Sequence, residues 1–187
     1  MTGLTAGERT GQETEWKIRD GSPIRRRHTT VEADIDLVLS FLNTIDHEAG
    51  TDALGSDDGW RSWCVTQALR HRGAVQDARS VRDTLRAAAS DGPWIAPGTS
   101  EACLRVELTT GVPVFSAVDA IGEVLAAAGR LAVLELWDRV KICPARDCRR
   151  AFYDRSRNRS RTWCSMRICG NREKARNWRE RSKITQA

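Results

Sequence analysis

Apolar side chains recur at the 3.6-residue spacing of an amphipathic helix in four segments, so the chain is predicted to be mainly helical. The predicted helices cover residues 31–45, 57–69, 74–89 and 116–129, and residues 131–136 either continue the last helix or form a strand. The apolar stripe of the first consists of Ile35, Leu37, Val38, Leu39, Leu42 and Ile45. Asp57 or Asp58 is the expected N-cap of the second, because an oxygen there can accept a hydrogen bond from the first helical turn.

One short segment shows the two-residue period of a strand. Leu104, Val106 and Leu108 alternate with charged residues, which predicts a half-buried strand. Thr110 and Gly111 form a turn signal, and residues 112–115 are expected to return as the partner strand. The sequence thus adds a small β element to the helices.

The polar N-terminal residues 1–30 lack sustained periodicity and are predicted to form a disordered extension. A helical domain is expected over residues 31–138, followed by a C-terminal module over residues 139–187. No apolar run reaches the roughly 18 residues that a membrane span needs. The charged first thirty residues also lack the apolar region of a secretory signal, so we expect a cytoplasmic protein with no membrane partner.

The charge of the chain is divided unevenly. Residues 139–183 contain 16 Lys and Arg against 4 Asp and Glu, whereas the rest contains 14 against 21. Clustered positive potential attracts phosphates, which favours a nucleic-acid partner for the C-terminal module. The alternative is that the arginines only compensate a negatively charged metal centre, although such a centre needs far fewer positive charges.

Four cysteines supply the strongest chemical signal. Cys143 and Cys148 form one C-x4-C pair, and Cys164 and Cys169 form another. Thiolates suit Zn²⁺, and structural zinc sites have four protein ligands and no open coordination position. The sequence therefore predicts a closed zinc site and a binding function rather than catalysis.

The expected module has a knuckle loop over residues 143–148 and two hairpin strands, at residues 149–153 and 162–163. Residues five apart lie about 140° apart around a helix. Cys164 is therefore placed before a helix that Ser165 caps, and Cys169 in its first turns, as in a treble clef. Ala175 and Trp178 are expected to pack on the hairpin.

Arginine can make bidentate contacts to phosphates and guanine edges, so the basic turn and the helix stripe are the predicted nucleic-acid interface. The candidates in the turn are Arg155, Arg157, Asn158, Arg159 and Arg161. The candidates on the helix are Asn171, Arg172, Arg176, Arg179 and Lys183. The two asparagines could read adenine, but local capping is the alternative for both.

The C-terminal module resembles the CGNR zinc-finger family, whose name-giving tetrapeptide stands here as Cys169-Gly170-Asn171-Arg172. The similarity extends to both cysteine spacings, Phe152, Asp154, the Ser156-Arg157-Asn158 turn and Trp163-Cys164-Ser165-Met166. Residues 40–44, 81–86 and 137–141 are similar to that family's N-terminal domain, called ABATE. The resemblance implies a mainly helical domain with a small β element, a zinc-ribbon or treble-clef module with the four cysteines as ligands, and a bacterial stress-related transcription regulator.

These observations favour a DNA-binding regulator whose larger domain forms a homodimer or senses a small-molecule effector. RNA binding by the same surface is an alternative, in which Phe152, Tyr153, Trp163 and Trp178 would stack on unpaired bases. A zinc-stapled module that binds an acidic protein is another. The chain contains no nucleotide-binding, serine-hydrolase or metalloprotease motif, so we do not expect an enzyme.

Overall fold

The computed structural model describes residues 30–71, 73–90, 102–108, 111 and 113–185, and these form α-helices with short antiparallel strand pairs, as predicted. The helices are α1 (Val31–Leu42), α2 (Asp57–Thr66), α3 (Val75–Ala88), α4 (Ala120–Val133) and α5 (Asn171–Thr185). The strands are β1 (Ile45–Asp46), β2 (Thr51–Asp52), β3 (Leu104–Glu107), β4 (Val114–Ala117), β5 (Val140–Ile142) and β6 (Ala151–Tyr153). Apart from Thr30, the predicted N-terminal extension lies outside the described residues.

The first two helices begin after a residue whose side chain accepts a hydrogen bond from a backbone amide of the first turn. Thr30 accepts from the Ala33 amide at 3.2 Å and caps α1. The N-cap of α2 is Ser56, whose hydroxyl accepts from the Gly59 amide at 3.2 Å, so the prediction of Asp57 or Asp58 was wrong by one or two residues. Both carboxylates instead lie in the first turn, where the helix dipole favours negative charge.

The fourth helix begins later than predicted, at Ala120 rather than near Ser116. Strand β4 continues to Ala117, and Asp119 then caps the helix by accepting from the Gly122 amide at 2.8 Å. No helix in the described part of the chain combines the length and apolarity that crossing a membrane requires.

The main core lies where α1 packs against α3 and α4. Phe41 contacts two tryptophans of α2, and Trp60 and Trp63 stack with their ring centroids 5.4 Å apart. A buried ion pair also crosses between α1 and α4, because Arg130 donates to both carboxylate oxygens of Asp34 at 2.7 and 2.8 Å. The helices are therefore held by apolar packing and by one bidentate charge pair.

The β3–β4 hairpin forms, but its predicted half-burial was wrong. Val106 lies opposite Phe115, and these side chains remain 50% and 47% exposed. Leu104 and Leu108 are exposed as well. In the described part of the chain, α4 packs beside β4, and no element covers this apolar face.

The hairpin of the C-terminal module has a different partner from the predicted one. Strand β6 pairs with β5, and not with residues 162–163, which form no strand. The Asn43 side chain binds the outer edge of β6, accepting from the Ala151 amide at 2.8 Å and donating to its carbonyl at 3.0 Å. Val140 and Ile142 are buried in the main core, so this hairpin joins the core to the cysteine loops.

Candidate metal centre and nucleic-acid interface

The four predicted cysteine ligands come together at one point. Their Sγ atoms all lie within 4.8 Å of one another, and Cys164 Sγ is 3.5 Å from both Cys148 Sγ and Cys169 Sγ. A tetrahedron with Zn–S bonds of about 2.3 Å has sulfur atoms about 3.8 Å apart. The observed separations therefore fit zinc after small shifts.

The first cysteine pair lies on the loop that connects β5 to β6. The Cys143 amide donates to the Arg150 carbonyl at 2.9 Å, and the Cys148 amide donates to the Ala145 carbonyl at 3.0 Å. Arg149 has a φ of 49°, in the left-handed region, and reverses the chain just after Cys148. This tight loop brings both sulfur atoms to the end of the hairpin.

The second pair lies at a short helical turn, with Cys164 before the turn and Cys169 inside it, as the spacing predicted. Ser165 accepts from the Ile168 amide at 3.3 Å and caps a single π-helical turn, Met166–Gly170, which leads into α5. Cys164 thus precedes the turn, and Cys169 lies within it. A Cβ on Gly170 would lie 2.4 Å from Met166 Sδ and 3.2 Å from Trp163 Cδ1, so the glycine provides space for side chains of the second cysteine loop.

The thiol pKa values differ across this cluster. Burial and the neighbouring thiols raise the pKa of Cys164 above its usual value. Burial opposes ionisation of Cys143 too, but hydrogen bonds from the Cys164 and Ala145 amides outweigh it and lower the pKa. Four such groups cannot all ionise side by side without a compensating charge, and a divalent cation bound by thiolates supplies it.

A buried carboxylate organises the basic turn that follows β6. Asp154 is fully buried and accepts from the amides of Ser156 and Arg161 at 2.8 and 2.9 Å. Lys141 reaches the same carboxylate at 2.8 Å and also donates to the carbonyls of Arg159 and Arg161. These contacts fix the turn before any partner binds.

The candidate residues of the turn occupy different environments. Arg161 donates to the carbonyls of Trp163 and Cys164 and lies over the Phe152 ring at 5.1 Å. Arg159 forms an ion pair with Asp138, and Arg155 lies over the Tyr153 ring at 5.5 Å. Arg157 and Asn158 are exposed, and no described residue offers their side chains a polar partner.

The helix candidates divide in the same way. Arg172 contacts Glu48 and Cys169, and Arg176 pairs with Asp147 at 2.9 Å and with Glu173 at 3.0 Å. Asn171 donates to the Arg167 carbonyl at 3.2 Å, which is a local contact. Arg179 is exposed and has no polar partner in the described part. Lys183 lies in the last turn of α5, and its side chain is outside the described part.

The expected packing of α5 on the hairpin was wrong. Ala175 is exposed, and Trp178 is 65% exposed. The helix is held at its N-terminal end, where Arg172 and Arg176 form their ion pairs. Its second half consequently presents Trp178 and Arg179 to solvent.

Sequence reasoning missed the arginine that joins α3 to the cysteine loop. Arg86 is buried and donates to the Leu42 carbonyl at 2.6 Å and to the Arg149 carbonyl at 2.5 Å. Arg82, one turn earlier, is buried against Asp52 at 2.6 Å. The i, i+4 spacing of these two arginines beside the apolar stripe was the available signal.

Comparison with protein families agrees with both predicted resemblances. A model described as "Putative stress-induced transcription regulator" and named ABATE matches residues 36–153, and the CGNR zinc finger model matches residues 139–182. No curated protein gives a significant match to the chain. The two family matches overlap over residues 139–153, the segment in which β5 and β6 connect the core to the cysteine loops.

Proposed function

We propose that this chain, which belongs to the ABATE family and carries a CGNR zinc finger, regulates transcription by binding DNA through its zinc module. The four cysteines would hold one Zn²⁺, which stabilises the loops and brings no open coordination position. The proposed activity is therefore binding and not catalysis, in a reducing cytoplasm where the thiolates keep their metal.

The observation that carries this proposal is the set of exposed cations that the zinc module leaves unpaired. Arg157 in the turn, Arg167 before α5 and Arg179 on α5 are three of these cations, each without a polar side-chain partner among the described residues. Asp138, Asp147 and Glu173 are already paired with other arginines. Unpaired guanidinium groups on a preformed surface are suited to phosphate contacts.

The turn and the helix have different proposed roles. Asp154 and Lys141 hold the turn in one conformation, so Arg157 and Asn158 would bind with little loss of conformational entropy. The exposed half of α5 has the dimensions of an element that fits the major groove. We propose that the turn contacts the DNA backbone and that the residues around Arg179 approach base edges.

Salt-dependent titration with duplex DNA tests the proposal. Replacing Arg157, Arg167 and Arg179 with alanine should weaken binding and reduce the slope of log K against log salt by about 0.9 for each lost phosphate contact. The matched control is Arg61→Ala, which removes an exposed arginine from α2 in the larger domain. An unchanged slope in the triple variant, with zinc still bound, would refute the proposed surface.

Single-stranded RNA is a second candidate partner, because Trp178 is largely exposed beside Arg179. Base stacking on an aromatic ring contributes about 1–3 kcal/mol. Trp178→Ala should then weaken binding to single-stranded RNA by roughly tenfold or more and leave duplex DNA binding within about twofold. Equal effects on both nucleic acids would remove the argument for RNA. Binding to neither would favour an acidic protein as the partner.

A further inference from the structure

We propose that Arg172 stabilises the thiolates of the zinc centre and links that centre to the larger domain through Glu48. Its Nη2 atom lies 3.8 Å from Cys169 Sγ, and its Nη1 atom lies 3.4 Å from Glu48 Oε1. Glu48 belongs to the turn between β1 and β2, far from Arg172 along the chain. One guanidinium group therefore spans a metal ligand and a carboxylate of the other domain.

The orientation of the Arg172 side chain supports this role. The side chain is only 31% exposed, and its Nε atom is buried with no hydrogen-bond partner among the described residues. The guanidinium group is thus directed toward the cysteine cluster, whereas Arg179 on the same helix is exposed. A phosphate would compete for Arg172 with contacts that the folded protein already makes.

The chemistry of a zinc tetrathiolate explains why an arginine belongs there. Four thiolates and one Zn²⁺ carry a net charge of −2, and donors to the sulfur atoms reduce the repulsion between them. Arginine remains protonated at every physiological pH, so it provides constant compensation. Its planar fork also lets one nitrogen face Cys169 while another faces Glu48, a geometry that a lysine ammonium cannot reproduce.

The contact also connects the larger domain to the metal centre, because Glu48 binds the arginine that contacts Cys169 Sγ. The spacing of Cys169 and Arg172 places both on the same side of the helical turn, and Glu48 closes the contact from outside the zinc module. We expect Glu48 to act by positioning Arg172 and not by touching sulfur. Its removal should therefore have a smaller effect than the removal of Arg172.

Zinc transfer to the chromophoric chelator 4-(2-pyridylazo)resorcinol tests this inference without nucleic acid. Arg172→Gln should lower zinc affinity by about 10–100-fold, which is the usual loss when a residue supporting a metal ligand is replaced. Arg179→Gln, a matched change on the same helix, should leave the affinity within twofold. Arg172→Lys, which keeps the charge but loses the fork, should lie between Arg172→Gln and the wild type.

Glu48→Gln separates positioning from direct stabilisation. Alone it should lower zinc affinity about two- to threefold, and in combination with Arg172→Gln it should add nothing, because its effect passes through the guanidinium group. Additive losses would overturn the proposed link to the larger domain.

The zinc affinities of the Arg172 variants decide whether Arg172 stabilises the thiolates. If Arg172→Gln and Arg172→Lys both retain zinc as tightly as Arg179→Gln does, Arg172 does not stabilise the thiolates. Should Arg172→Gln fail to fold, Arg172→Lys against Arg179→Lys supplies the same comparison. Because these measurements use zinc alone, they stay distinct from a failure of the proposed DNA binding.

Discussion

Replacing Asp154 with asparagine tests whether a buried carboxylate preforms the basic turn. The substitution keeps the size of the side chain and one carbonyl oxygen but removes the negative charge. Asp154 currently accepts from two backbone amides and from Lys141, whose own side chain is only 19% exposed. The variant therefore leaves a largely buried ammonium group without its anion.

The expected loss of stability follows from these contacts. Breaking a buried ion pair by removing one partner costs about 3–5 kcal/mol. Lys141 keeps two carbonyl acceptors, Arg159 and Arg161, so we expect the lower end, about 3 kcal/mol. For a chain of this size each kcal/mol shifts Tm by about 2–4 °C, so Tm should fall by about 6–12 °C if the turn unfolds together with the core.

The pKa of Asp154 gives the sign of the pH dependence. Burial alone would raise this pKa, but hydrogen bonds from Lys141 and Ser156 outweigh it and hold the pKa well below its usual value of 3.8. The stabilisation is therefore complete above pH 3.8 and is lost as the pH falls below that value. Zinc thiolates are stable near neutral pH, so the comparison of wild type and variant belongs at pH 7 with zinc bound.

Hydrogen exchange at the Ser156 and Arg161 amides measures the turn directly, and thermal unfolding measures the whole chain. Asp138→Asn is the matched control, because it breaks a half-exposed pair with Arg159 and should cost no more than about 1 kcal/mol. DNA affinity of Asp154→Asn should fall while the salt slope stays unchanged, since no phosphate contact is removed. Equal losses of stability in the two variants would refute the assigned role of Asp154.

Two further substitutions test the metal centre and the buried charges separately. Cys164→Ser should abolish zinc binding in metal analysis and remove hydrogen-exchange protection from residues 164–185, while the turn held by Asp154 and the core that includes Val140 stay folded. Loss of circular dichroism from the whole chain, and not from α5 alone, would contradict this. Asp34→Ala should lower the free energy of unfolding by about 3 kcal/mol in urea titration, because it leaves the largely buried Arg130 without its ion-pair partner. Asp36→Ala, an exposed change on the same helix, should stay within about 0.5 kcal/mol, and similar midpoints would refute the argument.

Periodicity predicted the helices because their apolar faces are long enough to show a period. It failed for β5, whose three residues are too few to show one. The partner of β6 was therefore assigned to residues 162–163, the nearest segment beyond the turn. The true partner, β5, precedes the knuckle. Val140 and Ile142 of β5 are buried in the main core, and so short a segment does not reveal this in the sequence.

The cysteine spacing predicted the ligands for a different reason. Four thiols with two equal spacings are typical of one metal site, so the sequence alone was sufficient to predict that the four sulfur atoms lie together. The use of each arginine could not be predicted in this way, because composition does not distinguish a paired guanidinium group from a free one. Arg176 and Arg179 lie on one helix stripe, yet only Arg176 meets an acidic residue of the knuckle.

Polar side chains outside the metal centre set the position of the zinc module on the core. Asn43 binds the outer edge of β6, and Arg86 binds the carbonyls of Leu42 and Arg149. Both residues belong to the larger domain, and neither contacts a cysteine through its side chain. The hairpin, with the turn that Asp154 and Lys141 hold against it, can therefore stay docked when zinc is absent, while the second cysteine pair and α5 depend on the metal for their arrangement. On this argument zinc controls the α5 part of the proposed binding surface and leaves the turn and the core of the larger domain intact.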